Sequence, residues 1–344
     1  MDIGSFVPGE MAEKTSFEAI ALRYMKEVLP KMRGKPQGEY LIRRLIEVFG
    51  KYKISSMTAA MLSSYRDDRL AHVSAQTVVH ELGMISRILK AAQLDWGIVI
   101  PGGHPVSQVR KPKVESARTR RLEPGEEPLL LRALDECSSK FIKPAFQLAI
   151  ETAARQSEIL SMSWEDVDLD RRVVRLRGPG GGVTKSGEAF RDVPLTLGAV
   201  QVLKGLEKPA GGRGRVLALT QSTLLQAWPR AVKRARRQYL LEKLESVLKD
   251  VHGLNDSDAQ REIRRLVSKS GPTLPLTLKE WDRLEREDKK LDDLRFHDLR
   301  HEATSRLADK LEMHELMKVT GHKTSAMLSR YYHPRAEALA LKLD

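Results

Sequence analysis

Phe296-His297-Asp298-Leu299-Arg300-His301-Glu302-Ala303 is the stretch on which the reading of this chain turns. On a helix, positions i and i+3 share a face, so His297 and Arg300 would point into one pocket. A metalloprotease reading of His301-Glu302 fails, because residue 305 is serine where a second histidine ligand would be needed. Downstream, Gly321-His322-Lys323 is followed by Met327-Leu328-Ser329-Arg330-Tyr331-Tyr332-His333, which sets Tyr331 nine positions after His322. Upstream, Arg155 stands in Thr152-Ala153-Ala154-Arg155-Gln156-Ser157-Glu158-Ile159-Leu160, ahead of a helical apolar run. Lys185 lies in Val183-Thr184-Lys185-Ser186-Gly187, between two short strand patterns. The glycines of Gly178-Pro179-Gly180-Gly181-Gly182 invite a nucleotide-loop reading. A phosphate loop requires glycine directly before the lysine and a helix after it, and this chain has Thr184 and a strand.

The whole chain of 344 residues suits two domains of ordinary size. Hydrophobic residues make up 41% and charged residues 31%, which supports folded cores. A net charge of +13 and a pI near 9.7 call for a polyanionic partner. No apolar run approaches a membrane span, and Met1-Asp2-Ile3-Gly4 lacks the layout of a signal peptide, so nucleic acid is favoured over membrane and the expected location is cytoplasmic. The single cysteine, Cys137, excludes an internal disulfide and a cysteine-based zinc cluster. At 5% aromatic residues the chain is poor in stacking platforms for unpaired bases, which favours duplex DNA.

Residues 1–14 show no periodicity and read as a loose leader. From Thr15, where Thr15-Ser16-Phe17-Glu18 has a capping-box pattern, residues 15–109 read as four helices. The fourth carries Val78, Leu82, Ile85, Leu89 and Ala92 at helical spacing, with His80, Arg87 and Lys90 on other faces. After Pro101-Gly102-Gly103, residues 110–121 read as an extended basic linker containing Arg110, Lys111, Lys113, Arg118, Arg120 and Arg121. Residues 122–344 form a second domain. Its opening reads as helices at about 125–137 and 140–153, followed by strands at 173–176 and 190–194 and mostly helix from 196. Residues 239–290 read as an inserted helical subdomain, with Tyr239, Leu240, Leu244, Val247, Leu248 and Val251 as its apolar stripe and helix starts near Ser257 and Thr277.

These motifs resemble those of the tyrosine recombinases of the lambda-integrase superfamily, with Ala153 in place of the usual glycine. The local text around His297 and His322 is most similar to phage-type integrases and plasmid DNA-inverting enzymes. The resemblance implies a mainly α fold with a small β-hairpin or sheet (α+β), in which a helical core-binding domain and a mixed catalytic domain clamp DNA. It implies Tyr331 as nucleophile, Arg155 and Arg300 as phosphate clamp, Lys185 as general acid, His322 as a further donor and His297 as an aid to proton transfer. Glu158 and Asp298 would orient partners, and Tyr332, His301, His314 and His333 read as structural. The expected DNA contacts are Arg110, Lys111, Lys113, Arg118, Arg120, Arg121, Arg87 and Lys90.

The chemistry calls for no metal and no cofactor, because side-chain charge favours the phenolate and stabilises the attacked phosphate. The implied partners are double-stranded DNA with inverted-repeat core sites and further copies of the chain. These would form a tetramer on two sites, linked through the tail 334–344, with accessory DNA-bending proteins as an option. A bacterial, archaeal or phage protein associated with the nucleoid is expected, and the short leader argues for action through core sites alone. A type IB topoisomerase and a non-catalytic DNA-binding relative are the competing readings. The basic linker and four-helix layout weigh against the first, and Tyr331 weighs against the second.

Overall fold

The computed structural model describes residues 10–32, 34–114, 118–178, 182, 184, 187–268, 270–329 and 331. It contains two compact units, Met1–Ala117 and Arg118–Asp344. Lys185, Tyr332, His333 and the tail 334–344 lie outside the described residues.

The first unit is helical: α1 (Glu10–Lys14), α2 (Phe17–Glu27), α3 (Lys35–Phe49), α4 (Ala59–Leu70) and α5 (Ala75–Leu94). The part of the expected leader that is described is therefore structured, with Ala12 of α1 buried. Ser16, one residue later than the capping-box pattern placed it, caps α2 by accepting from the Ala19 N–H. Phe17, Ile20, Ala21 and Tyr24 then fall on one buried stripe. In α5, capped by Ser74, all five residues of the expected stripe are fully buried. One charge is buried with them: Glu81 accepts from Arg69 at 2.8 Å and from the Tyr65 hydroxyl at 2.9 Å, which satisfies it.

The second unit opens with α6 (Glu126–Asp135), α7 (Ile142–Thr152) and α8 (Gln156–Ser161). Next come β1 (Val167–Asp168), β2 (Val173–Arg177) and β3 (Phe190–Pro194), an antiparallel sheet in that order, in which Val174 faces Val193. The strand pair β2–β3 matches the expected hairpin, whereas two-residue β1 is too short to leave a pattern. On the β2–β3 pair, Leu176 and Arg191 share a register position, and alternation turns Arg191 inward. Then follow α9 (Leu197–Lys204), α10 (Gln221–Asp250), α11 (Asp256–Val267), α12 (Pro275–Glu287), α13 (Asp298–Ala308), α14 (Met313–Thr320) and α15 (Ser325–Leu328). Residues 206–219 are irregular where helix was expected, although Val216, Leu217 and Leu219 are buried. Trp228 of α10 stacks on Phe146, meets Phe296 edge-on and donates to the Leu294 carbonyl at 3.1 Å, fixing the chain that leads into α13.

The inserted segment starts as a direct continuation of α10. Leu240, Leu244 and Leu248 form a satellite core with Ala259 of α11 and Leu284 of α12. The helix start expected near Thr277 is two residues early, at Pro275, and Thr277 is buried. Its hydroxyl is taken by Glu262, which also accepts from the backbone N–H groups of Thr273 and Leu274 at 3.1 and 2.9 Å. Glu262→Ala should therefore destabilise this subdomain by about 1–3 kcal/mol through unpaired donors. Hydrogen exchange should show faster amide exchange across residues 273–287 and unchanged protection in α7 and α13.

Candidate active site

Arg155 and His322 flank helix ends, whereas Arg300 and His301 lie on the first turn of α13. At the end of α7, Ala153 takes a left-handed conformation (φ 50°), so the chain turns sharply and Arg155 becomes the N-cap of α8. The left-handed region is where glycine is at ease, which accounts for the glycine in the related motif. Glu158 completes a capping box: its carboxylate accepts from the Arg155 backbone N–H at 2.8 Å and from the Arg155 guanidinium at 2.9 Å. The same carboxylate pairs with Arg191 from β3, a residue that was expected only to lie within the strand at 190–194.

These arginines converge on the corner between α14 and His322. Arg300 donates to the carbonyls of Ala153 and, at 2.6 Å, Thr320. Arg155 donates to the Gly321 carbonyl at 3.1 Å, and Arg191 to the Val319 carbonyl. Gly321 has φ +69°, and a Cβ there would lie 3.2 Å from Arg191 and 3.5 Å from Arg155 Nη1. The positive φ favours glycine, and the approach to Arg191 leaves little room for a side chain. Thr320, fully buried, bonds to the Leu316 carbonyl and to His322 Nδ1 at 2.7 Å, which orients the imidazole. The His322 and Tyr331 rings are 6.5 Å apart.

The electrostatics are unbalanced toward positive charge. Arg155 and Arg191 pair directly with Glu158, whose charge also acts on Arg300. Burial, followed by the charges of Arg155 and Arg191, pulls the Arg300 guanidinium down to about 9. Buried like charges gathered here mark a place where an anion would be stabilising. Two of Arg300's N–H groups reach carbonyls, which leaves donors of its five for such an anion. Glu158 is buried, which alone would raise its carboxyl, but Arg191, the Arg155 N–H and the Arg155 charge hold it below the usual carboxylate range.

His297 is exposed at the entry to α13, one residue earlier than a position within the helix, and its carbonyl accepts from the Arg300 N–H at 3.1 Å. Asp298 is buried and accepts twice from Arg118 at 2.7 Å and from the Arg295 N–H at 2.7 Å. Sequence reading gave His301 a structural role, yet its Nδ1 is hydrogen-bonded to the Tyr331 hydroxyl and the two rings stack at 5.6 Å. The only cue in sequence was its place beside Arg300.

The expected linker is shorter than 110–121. Arg118 pairs with Asp298 and Asp293, Arg120 pairs with buried Glu126, and Arg121 donates to Ser305 at 2.8 Å, all within the second unit. Arg118 and Arg120 are thus occupied by carboxylates and do not extend as a bare basic strand. Arg110, Lys111 and Lys113 are exposed. In the first unit Lys90 and Lys111 line one cleft with Ser86 and His104, while Arg87, exposed, leans on Met84.

A family model described as the phage integrase family matches residues 120–338. A shufflon-specific DNA recombinase of Escherichia coli is 31% identical over 353 residues, covering 98% of this chain and 74% of that protein. The integrase of transposon Tn1549, solved with transposon right-end DNA, has a TM-score of 0.61 at 16% identity over 96% of this chain and 98% of its own. A lambda integrase dimer bound to a COC′ core site gives 0.54 at 15% identity over 94% and 97%. The family match, the recombinase relative and the mainly helical fold with its small sheet together define a tyrosine site-specific recombinase. The chain belongs to the phage integrase family.

Two outcomes follow for this site. Ala153→Gly should be neutral or stabilising by up to about 1 kcal/mol in thermal melts, because the left-handed backbone is relieved. Glu158→Gln should be less stable than the parent at neutral pH. A depressed carboxyl contributes stability above its unfolded pKa of about 4.3 and loses it as pH falls through the folded value. Denaturant titrations should show the gap closing as pH falls from 7 toward 3, and a constant gap would rule out the ion-pair origin.

Proposed function

We propose that Tyr331 cleaves and rejoins duplex DNA at specific sites through a 3′-phosphotyrosine bond. The observation that carries this is the convergence of Arg155, Arg300, His322 and Tyr331 around residues 320–322. Arg155 and Arg300 would clamp the scissile phosphate through forked donors, as equatorial charge builds in the transition state. His322, held by Thr320, would add a donor to the same phosphate. Lys185 would protonate the departing 5′ oxygen, and His297 would support proton movement at the α13 entry. Glu158 and Asp298 hold arginines in place and take no part in bond making.

The linkage conserves bond energy, so a 5′-hydroxyl from another strand can reseal it. Exchange between duplexes then requires two sites in one assembly, a tetramer in which the tail 334–344 docks on a neighbour. The 31% identity to a shufflon-specific DNA recombinase across nearly the whole chain supports recombination between specific DNA sites, whether the outcome is integration, excision or inversion. Among the described residues no helix is long and apolar enough to cross a membrane. Arg110, Lys111, Lys113, Arg87, Lys90 and Arg121 would contact DNA phosphates. Arg118 and Arg120 would act by shaping the second unit.

A library of nicked duplexes with a randomised stretch tests the activity and finds its site. The parent should form denaturant-stable adducts in excess chelator and without nucleotide, while Tyr331→Phe still binds duplex but forms none. Adducts in Tyr331→Phe, or a strict need for magnesium, would sink the reading. On the selected site, a 5′-bridging sulfur should rescue Lys185→Ala and not Arg300→Ala, since only the first lacks the acid; equal rescue removes Lys185 from that role.

Each phosphate neutralised contributes about −0.9 to the salt slope. Replacing Arg110, Lys111 and Lys113 with alanine should flatten the slope by up to about three units, on specific and random duplex alike. An unchanged slope would make this segment a tether only.

A further inference from the structure

His301 lies on α13 directly after Arg300, half-buried, with its Nδ1 on the Tyr331 hydroxyl. The phenol and imidazole planes are 24° apart with centroids at 5.6 Å, and the His297 ring meets His301 edge-on at 5.4 Å. The rings of His297, His301 and Tyr331 thus adjoin in sequence, with His322 next to Tyr331 at 6.5 Å. A phenol is a poor nucleophile until its proton leaves, and a base within hydrogen-bond reach is the geometric requirement for taking it. His301 meets that requirement.

We propose that His301 is a further catalytic residue, the base that takes the Tyr331 proton as attack begins and returns it on resealing. The proposal rests on Tyr331 being the nucleophile. In the forward step the phenol O–H bond breaks, its proton moves to Nδ1 of neutral His301, and Oη bonds to phosphorus. The bond from phosphorus to the 5′ oxygen breaks, and that oxygen leaves with a proton from Lys185. In the reverse step the attacking 5′-hydroxyl gives its proton back to Lys185, and His301 reprotonates the departing phenolate. Atoms and charge balance in both directions with no further reactant. His301 can act in this way because α13 fixes it one residue from Arg300: the group that binds the phosphate and the group that frees the nucleophile are carried on one helical turn.

The test is the single-turnover rate of adduct formation on a nicked duplex selected from the library. His301→Asn can keep a polar atom near the Nδ1 position but cannot hold a proton. His301→Ala opens space for free imidazole. Both variants should slow adduct formation by about a hundredfold or more, with duplex binding retained, and added imidazole should restore the alanine variant at least tenfold. If the asparagine variant cleaves within about threefold of the parent, a hydrogen bond suffices and His301 only positions Tyr331. A well-folded alanine variant that imidazole does not rescue also overturns the proposal; if melting shows that variant unfolded, the asparagine variant decides alone. The parent and Tyr331→Phe are run alongside. No parent adduct, or an adduct in Tyr331→Phe, would mean that the nucleophile assignment has failed, whereas normal controls with fast His301 variants would fail His301 alone.

Discussion

Three guanidiniums packed about one carboxylate set the terms for the rest of the catalytic unit. Arg155, Arg191 and Arg300 arrive from the α8 entry, β3 and α13, and each reaches a backbone carbonyl in the span 319–321. Like charges this close repel, and burial raises the penalty. Glu158 offsets part of it, Glu188 adds a weaker attraction at Arg191, and backbone carbonyls supply partial negative charge. A further carboxylate in direct contact with the arginines would quiet the repulsion but would also repel a phosphate. The arrangement is stable enough to fold and still short of negative charge, and a DNA phosphate supplies what is missing. The left-handed Ala153 and Gly321 are local consequences: each turn aims a carbonyl or opens the space that the arginines need.

The parts legible in sequence were those whose information is local. The buried stripe from Val78 to Ala92 follows from helical spacing, and the β2–β3 pair from strand patterns flanking glycines. Arg155, His297, Arg300, His322 and Tyr331 stood out because reactive side chains recur there at fixed spacings in one order. Partners made by the fold were hidden. His301 and Tyr331 are 30 positions apart, Arg191 and Glu158 are 33, and Arg118 and Asp298 are 180. No periodicity links such pairs, so His301 read as structural, Arg191 as one residue of a short strand and Arg118 as part of a bare basic strand. Thr277 looked like a helix cap because its hydroxyl was free to be one in sequence, and Glu262 claims it in the fold.

The two ends of the former linker illustrate how burial changes the meaning of charge. Lys111 and Lys113 remain exposed, where a lysine keeps its water and can meet a phosphate at little cost. Arg118 and Arg120 instead spend their forks on Asp298 and Glu126, both almost wholly buried, and hold the start of the second unit to α13 and α6. Asp298 thereby ties the chain's entry into this unit to the helix carrying Arg300 and His301. The inserted α11–α12 pair packs instead on Leu240, Leu244 and Leu248 of α10, in a satellite core.

A structure of the protein with cleaved core-site DNA and orthovanadate, which adopts the five-coordinate geometry of phosphoryl transfer, tests the central arrangement most directly. Vanadium should be bonded to Tyr331 Oη, its equatorial oxygens on Arg155, Arg300 and His322, while Glu158 stays on Arg155 and Arg191. Vanadate bonded to another side chain, or seated with Arg155 and Arg300 making no contact to it, would contradict the arrangement.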